Sequence, residues 1–121
     1  MSQSFGPSVR LRASAEFAVV QKTGRRVPGR FVTVLVKANS LDCDRLGVIA
    51  SRKLGNAVVR NAAKRRLREI FRGQGPDVAR ARGDRGIDVV VIPRRESIAA
   101  PFRAVEADLV AALRKARGAA S

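Results

Sequence analysis

The chain has 121 residues, 45% hydrophobic and 29% charged, a composition suited to one globular domain that buries about two-thirds of its unfolded surface. Twenty-five Lys and Arg face ten Asp and Glu, a net charge of +15, and that self-repulsion is relieved by a polyanionic partner but not by a small neutral substrate. There is no histidine and one cysteine, Cys43, which excludes His-based acid–base catalysis, Ser-His and Cys-His dyads, a structural zinc site and an internal disulfide.

No apolar run approaches the ~18 residues that a membrane span needs, and the first residues lack the apolar stretch of a signal peptide. A soluble, cytoplasmic protein with no membrane partner and no small-molecule substrate is expected. Five Phe, no Trp and no Tyr leave the core to Val, Leu, Ile and Ala.

Residues 1–8 are rich in Ser, Gln, Gly and Pro and read as a mobile tail, ahead of a single domain over 9–117 and a C-terminal tail over 118–121. From about Ser14 to Gln21 a short helix is expected: Ser14 suits its N-cap, Glu16 its positive start, and Phe17 with Val20 forms an apolar edge. Lys22 to Arg30, with two Gly, one Pro and four basic residues, reads as a cationic loop. Phe31 to Val36 is a β-branched run and a strand. Asn39 to Asp44 is a turn, and Leu46 to Ser51 a second strand flanked by Arg45 and by Arg52-Lys53.

Gly55-Asn56 breaks that strand and offers Asn56 as the N-cap of a helix running to about Arg72, ended by Gly73 and Gly75-Pro76. Residues 73–86 form a Gly- and Arg-rich loop. Ile87 to Ile92 is a third strand, stopped by Pro93. Pro101 opens a last helix with Phe102, Val105, Leu109, Leu113 and Ala116 at helical spacing. The order α-β-β-α-β-α, with three or four strands covered by helices, predicts an α+β sandwich.

The helix after Asn56 carries the functional signal. Between Arg52 and Arg72 lie Arg52, Lys53, Arg60, Lys64, Arg65, Arg66, Arg68 and Arg72 against a single acid, Glu69. At ~100° per residue, Val59, Ala63, Leu67, Ile70 and Phe71 share one face. Arg60, Asn61, Lys64, Arg65, Arg68 and Arg72 share the opposite arc, and Arg66 falls beside the apolar stripe. A solvated helix face usually mixes signs, because like charges at i,i+4 cost ~0.2–0.5 kcal/mol per pair. Arg60, Lys64, Arg68 and Arg72 repeat at that spacing, which points to phosphates supplying the missing charge. Membrane adsorption fits less well, since the apolar face is needed for the core and carries no Trp.

From Gly55 to Glu69 the sequence GNAVVRNAAKRRLRE resembles the signature of the bacterial ribonuclease P protein subunit, R-N-R-x-K-R-x-x-R-E on a helix that follows a strand ending in a basic pair, here Arg52-Lys53. The resemblance extends along the chain: an early Leu-Arg before a helix holding Phe17, a Gly-Arg-Arg loop, Phe31-Val32 opening a strand, Arg45-Leu-Gly opening the next, and Asp-Val-Val-Val-Ile before a final helix. Three positions depart from the family pattern. The motif's third residue, usually Arg, is Ala62, and two positions that often carry cleft aromatics are Gln21 and Val34.

The resemblance implies a fold like the second domain of ribosomal protein S5, with a left-handed βαβ crossover where ordinary crossovers are right-handed. It implies that the protein assists Mg2+-dependent endonucleolytic removal of the 5′ leader of precursor tRNA. The partners would be ribonuclease P RNA and precursor tRNA, with catalysis in the RNA. Arg60, Asn61, Lys64, Arg65, Arg68 and Arg72, flanked by Arg52 and Lys53, would dock on that RNA, while Phe17, with Phe31 as a neighbour, would line the leader cleft. Arg25, Arg26, Arg30, Arg80, Arg82 and Arg85 would add phosphate contacts or remain solvated loop charge.

No catalytic residue, metal ligand or protein-held cofactor is expected, and Mg2+ would be held mainly by RNA. A two-metal protein nuclease needs several converging carboxylates, and the ten acids here are scattered. The tightest cluster, Asp42-Cys43-Asp44, sits in an expected turn, where Asp serves backbone hydrogen bonding. Two rival readings remain: a structural ribosomal-type RNA-binding protein, and a nuclease that cleaves RNA unaided.

Overall fold

A computed structural model describes residues 14–39, 44–74 and 86–120. The expected tail over 1–8, Asp42-Cys43, and Arg80, Arg82 and Arg85 lie outside the described residues. The elements, in chain order, are α1 (Ser14–Thr23), β1 (Arg25–Pro28), β2 (Val32–Ala38), β3 (Arg45–Val48), a 3-10 turn (Arg52–Leu54), α2 (Ala57–Gln74), β4 (Ile87–Pro93), α3 (Glu96–Ala99) and α4 (Phe102–Ala120). The four strands form one sheet in the order β1-β2-β4-β3. β1 and β4 each pair antiparallel with β2, whereas β3 runs parallel to β4. The β3–α2–β4 segment is therefore the βαβ unit for which the resemblance implies a left-handed crossover.

Alternation along the strands gives the sheet two buried faces. Val32, Val34 and Val36 of β2, Leu46 of β3 and Ile87, Val89 and Val91 of β4 pack with Leu67, Ile70 and Phe71 of α2 and with Val105, Leu109 and Leu113 of α4. On the other face Leu35 and Val90 meet Val20 of α1, with Phe17, Ile49 and Ile92 packed at the margin. A strand buried on both faces reads as a continuous apolar run, as the sequence Ile87-Asp-Val-Val-Val-Ile shows.

Two readings need correction. The expected cationic loop Lys22–Arg30 contains the end of α1 and the whole of β1, which pairs from Arg25↔Val36 to Pro28↔Thr33. Only Val27 of its four side chains is buried. The strand is an edge, and two arginines and a proline are what an edge tolerates, so it carries too little apolar periodicity to be seen. At the other end, α4 continues to Ala120, into the stretch 118–121 read as a tail. A smaller difference lies in the second expected strand. It is paired over Arg45–Val48, Ile49 N–H adds one bond to the Val91 carbonyl, and the chain then turns into the 3-10 turn.

The β1–β2 turn is tied to α4 by Asp108. One carboxylate oxygen accepts from Arg30 N at 3.0 Å, and the other from Phe31 N at 2.8 Å and Val32 N at 3.1 Å. The turn closes with Gly29 N donating to the Val32 carbonyl. A Cβ at Gly29 would lie 2.6 Å from Asp108 Oδ2 and 2.7 Å from the Val32 oxygen, so the clamp requires glycine there. Sequence reasoning passed over Asp108, whose sole signal is an acid beside the apolar stripe of a helix. On the opposite face Asp88 accepts from Arg45 Nε and Nη2, both at 2.8 Å, and from Asn39 Nδ2 at 2.9 Å. This network joins β3 to β4 where the parallel pairing begins.

Charge-assisted hydrogen bonds contribute ~1.5–3 kcal/mol each, and removing their shared acceptor strands buried donors. Asp108→Ala is therefore expected to lower stability by about 2–4 kcal/mol, a drop of at least several degrees in melting temperature. A thermal melt within a degree of the parent would remove the clamp from this account.

Candidate nucleic-acid interface

The approach to α2 is built by local geometry. Leu54 is buried and anchors the 3-10 turn, leaving Arg52 and Lys53 exposed. Gly55 follows with φ 147°, and a Cβ there would press on Val59 at 3.1 to 3.4 Å, so glycine sets the angle between turn and helix. Asn56 then caps α2 as expected: its Oδ1 accepts from Val59 N at 3.0 Å, and its carbonyl accepts from Arg60 N at 2.9 Å. The cap satisfies backbone donors at the helix start that otherwise lack partners.

Along α2 the apolar stripe packs as the periodicity predicts. Ala63, Leu67, Ile70 and Phe71 are buried and Val59 half-buried. The cationic arc is not uniform. Asn61, Arg65 and Arg72 are exposed, whereas Arg60, Lys64 and Arg68 are half-buried. Asn61, Arg65, Arg68 and Arg72, with Glu69, line one shallow polar hollow of about 370 Å3. Arg60 and Lys64 do not line it, so the expected arc divides between residues that line the hollow and residues that do not. Glu69, at i+4 from Arg65 and i−3 from Arg72, locally offsets the like charges. Arg60 differs in one respect: its Nε is buried and, among the described residues, has no hydrogen-bond partner, a desolvation cost carried by the fold.

Arg66, the cation beside the apolar stripe, has a structural task. Its Nη1 donates to the carbonyls of Ser97 and Ala100, both at 3.1 Å, fastening α2 to the connection between α3 and α4. Its neighbour Arg65 has the same chemistry and points into the hollow.

The two expected cleft aromatics are not brought together. Phe17 is half-buried on the α1 face beside Leu35 and Val90, while Phe31 packs against the cluster on the α2/α4 face. Arg30 lies over the Phe31 ring, 5.2 Å from its centroid, a cation–π distance. Val34, one of the departures from the family pattern, is also buried on the α2/α4 face. Arg26, paired with Leu35, shares the sheet face of α1, and its side chain is exposed there. Among the described residues no three His, Cys, Asp or Glu side chains gather as a metal-ligating group, and no helix is long and apolar enough to cross a membrane.

A mixed sheet that holds a capped helix with its basic face outward, approached by a second basic pair, defines an RNA-binding α+β protein. The comparisons identify which one. The Ribonuclease P family model matches residues 5–117, and the chain belongs to that family, as a protein component of a ribonucleoprotein endoribonuclease that processes tRNA 5′ ends. It is 40% identical over 96 residues to the ribonuclease P protein component of Thermotoga petrophila, covering 79% of this chain and 78% of that one. The solved ribonuclease P protein of Thermotoga maritima superposes with a TM-score of 0.73 at 35% identity, over 88% of this chain and 96% of that one. A Staphylococcus aureus ribonuclease P protein, a mutant with defective mRNA degradation activity, superposes at 0.78 with 30% identity, over 91% and 89%. The expected α+β sandwich of the ribosomal protein S5 second-domain kind is thus the fold of this family, and the purely ribosomal reading falls away.

Arg65 and Arg66 are adjacent yet face different tasks, which gives a direct test. Arg65→Ala is expected to leave the melting temperature within about a degree and to weaken RNA binding. Arg66→Ala is expected to cost on the order of 1–3 kcal/mol of stability, the range for charged hydrogen bonds. Equal thermal effects from the two variants would contradict the division.

Proposed function

We propose that α2 and the preceding 3-10 turn dock this protein on ribonuclease P RNA, and that the α1 face of the sheet receives the 5′ leader of precursor tRNA. The observation that carries the reading is the hollow in which Asn61, Arg65, Arg68 and Arg72 converge, with Arg52 and Lys53 exposed on the turn before the helix. Arg60 and Lys64, both half-buried, add positive charge along the same helix. Backbone amides, guanidinium groups and amides of this kind position a phosphate chain without reading sequence.

The leader side rests on Phe17. Half-buried against Leu35 and Val90, with Ile49 and Ile92 beside it, it offers a base one aromatic edge. Phe31 is withdrawn to the other face, and Gln21 stands where relatives often carry a ring, so stacking of ~1–3 kcal/mol per base is limited to one platform. Phosphate contacts from residues such as Arg26 carry the remainder.

The chemistry of this reading belongs to the RNA. Mg2+, which RNA phosphates would hold in a cytoplasmic ribonucleoprotein, would supply activation of water and charge stabilisation. The protein contributes charge neutralisation and placement. With no histidine and ten scattered acids, its own side chains have no evident acid–base pair for the step. A second reading has a specific motive: the Staphylococcus aureus relative was solved as a mutant with defective mRNA degradation activity. On that reading the protein degrades mRNA, alone or with a partner.

Reconstitution with a ribonuclease P RNA separates the two. Precursor-tRNA cleavage at low Mg2+ is expected to rise steeply on adding the protein, with no cleavage of tRNA or mRNA by protein alone. Cleavage of mRNA by the pure protein, lost in Arg65→Ala and Arg72→Ala variants, would establish the second reading. Phe17→Ala is expected to weaken binding of leader-bearing precursor several-fold while leaving leaderless tRNA unchanged. An equal loss for both would reduce Phe17 to a packing residue.

A further inference from the structure

The outer surface carries one feature that phosphate docking does not use. Beside the basic hollow, on the other flank of α2, an apolar slot of about 200 Å3 opens where Val58, Ala62 and Arg66 of α2 face Pro93 of β4 and Ser97 and Ile98 of α3. Val58 is 75% exposed and Ile98 38%, and neither belongs to the two core clusters. Large apolar side chains rimmed by charge mark an interaction site more often than accident. The slot opens at Ala62, the third position of the helix motif, where the family pattern given above carries arginine.

We propose that this slot receives an unstacked nucleobase of the RNA partner, an apolar insertion in place of the missing ionic contact. Size, charge and wall chemistry support the assignment. The volume is below the ~300–1,000 Å3 of pockets for drug-sized ligands, so a single planar ring system suits it and a partner helix does not. The chain between the lining residues Pro93 and Ser97 is Arg94-Arg95-Glu96, and both arginines are exposed. Asn61 and Arg65 adjoin Ala62 and Arg66 on α2. An apolar slot in cationic surroundings fits a nucleotide, ring inside and phosphate outside, and repels a second copy of a chain carrying +15. The charged wall is preorganised. Arg66 is held by its two bonds to the Ser97 and Ala100 carbonyls, so its guanidinium plane is fixed before any base arrives. Bases extruded from RNA stack on such planes as they do on aromatic rings.

The proposal rests on the RNA-docking reading, and its test keeps the two apart. Ala62→Phe fills the slot from an exposed position; Ile98→Ala strips one wall and guards against a variant that fails to fold. Each is titrated with ribonuclease P RNA across a salt series, beside Arg65→Ala and the parent protein. Ala62→Phe is expected to lower affinity roughly ten- to a hundredfold, the range of one base stack, and Ile98→Ala several-fold. Neither should change the salt slope, because no phosphate contact is removed, whereas Arg65→Ala should flatten it by ~0.7–0.9. Parental affinity in Ile98→Ala, or in a folded Ala62→Phe, overturns the slot while leaving the docking helix intact. A flattened slope in either variant also overturns it, since the lost contact is then ionic. A parent dimer in sedimentation that Ala62→Phe dissolves would assign the slot to a second copy of the chain instead. If the parent itself fails to bind the RNA, the docking reading falls first, and the slot with it.

Discussion

Two neighbouring strands that run in the same direction cannot be joined by a tight turn; the chain must leave the sheet, cross a face and return. In this protein β3 and β4 are that pair, and α2 lies on the crossing path. The helix is therefore held by tertiary packing, through Leu67, Ile70 and Phe71, rather than by its own propensity. Helices depend mostly on such packing for stability. This constraint lets the outer face carry repeated like charges at i,i+4 that a free helix would resist. It also fixes the basic arc relative to the sheet, so that surface inherits the rigidity of the core.

The sheet that anchors α2 also separates it from the other candidate RNA surface. α1 and Phe17 occupy one face, while α2 and α4 occupy the opposite one. A leader bound near Phe17 and an RNA helix bound on α2 would lie on two sides of a single layer of strands. The protein then acts as a spacer of fixed thickness between two nucleic-acid partners. The Asp108 clamp and the Arg45–Asp88 network serve that rigidity. The first fastens the β1–β2 turn to α4, the second locks β3 to β4 on the α1 face. Neither needs to touch RNA for its loss to be felt there.

Much of this was legible from the residues. The α2 register, its Asn56 cap and its buried stripe follow from 3.6-residue periodicity and a Gly-Asn start, and the anomalous place of Arg66 was visible in the same projection. What periodicity could not give was the partner of each side chain. It placed Arg60, Lys64 and Arg68 on one arc, but the depth of each depends on how the helix rolls on the sheet, a tertiary quantity. It paired Phe31 with Phe17, because the side of a sheet that a strand's first residue faces depends on register, and a one-residue shift exchanges the faces. β1 escaped because an edge strand protected by arginine and proline carries the composition of a loop.

The cations of α2 finally separate into two populations with different reasons to exist. Arg66 satisfies carbonyls of its own chain and would be needed whatever the protein bound. Arg65, one residue away, lies in an exposed hollow with Asn61 and Arg72 and contributes little to folding. Composition counts both alike in the net +15, yet only the second kind is left at the surface for the proposed RNA partner. The motif is thus a fold signature and a binding signature superposed on one helix. Ala62 is exposed and lies outside the buried stripe, so a change there alters the outer surface more than the packing. Under the proposed docking, substitutions at such positions would retune RNA contact without disturbing the sandwich that presents it.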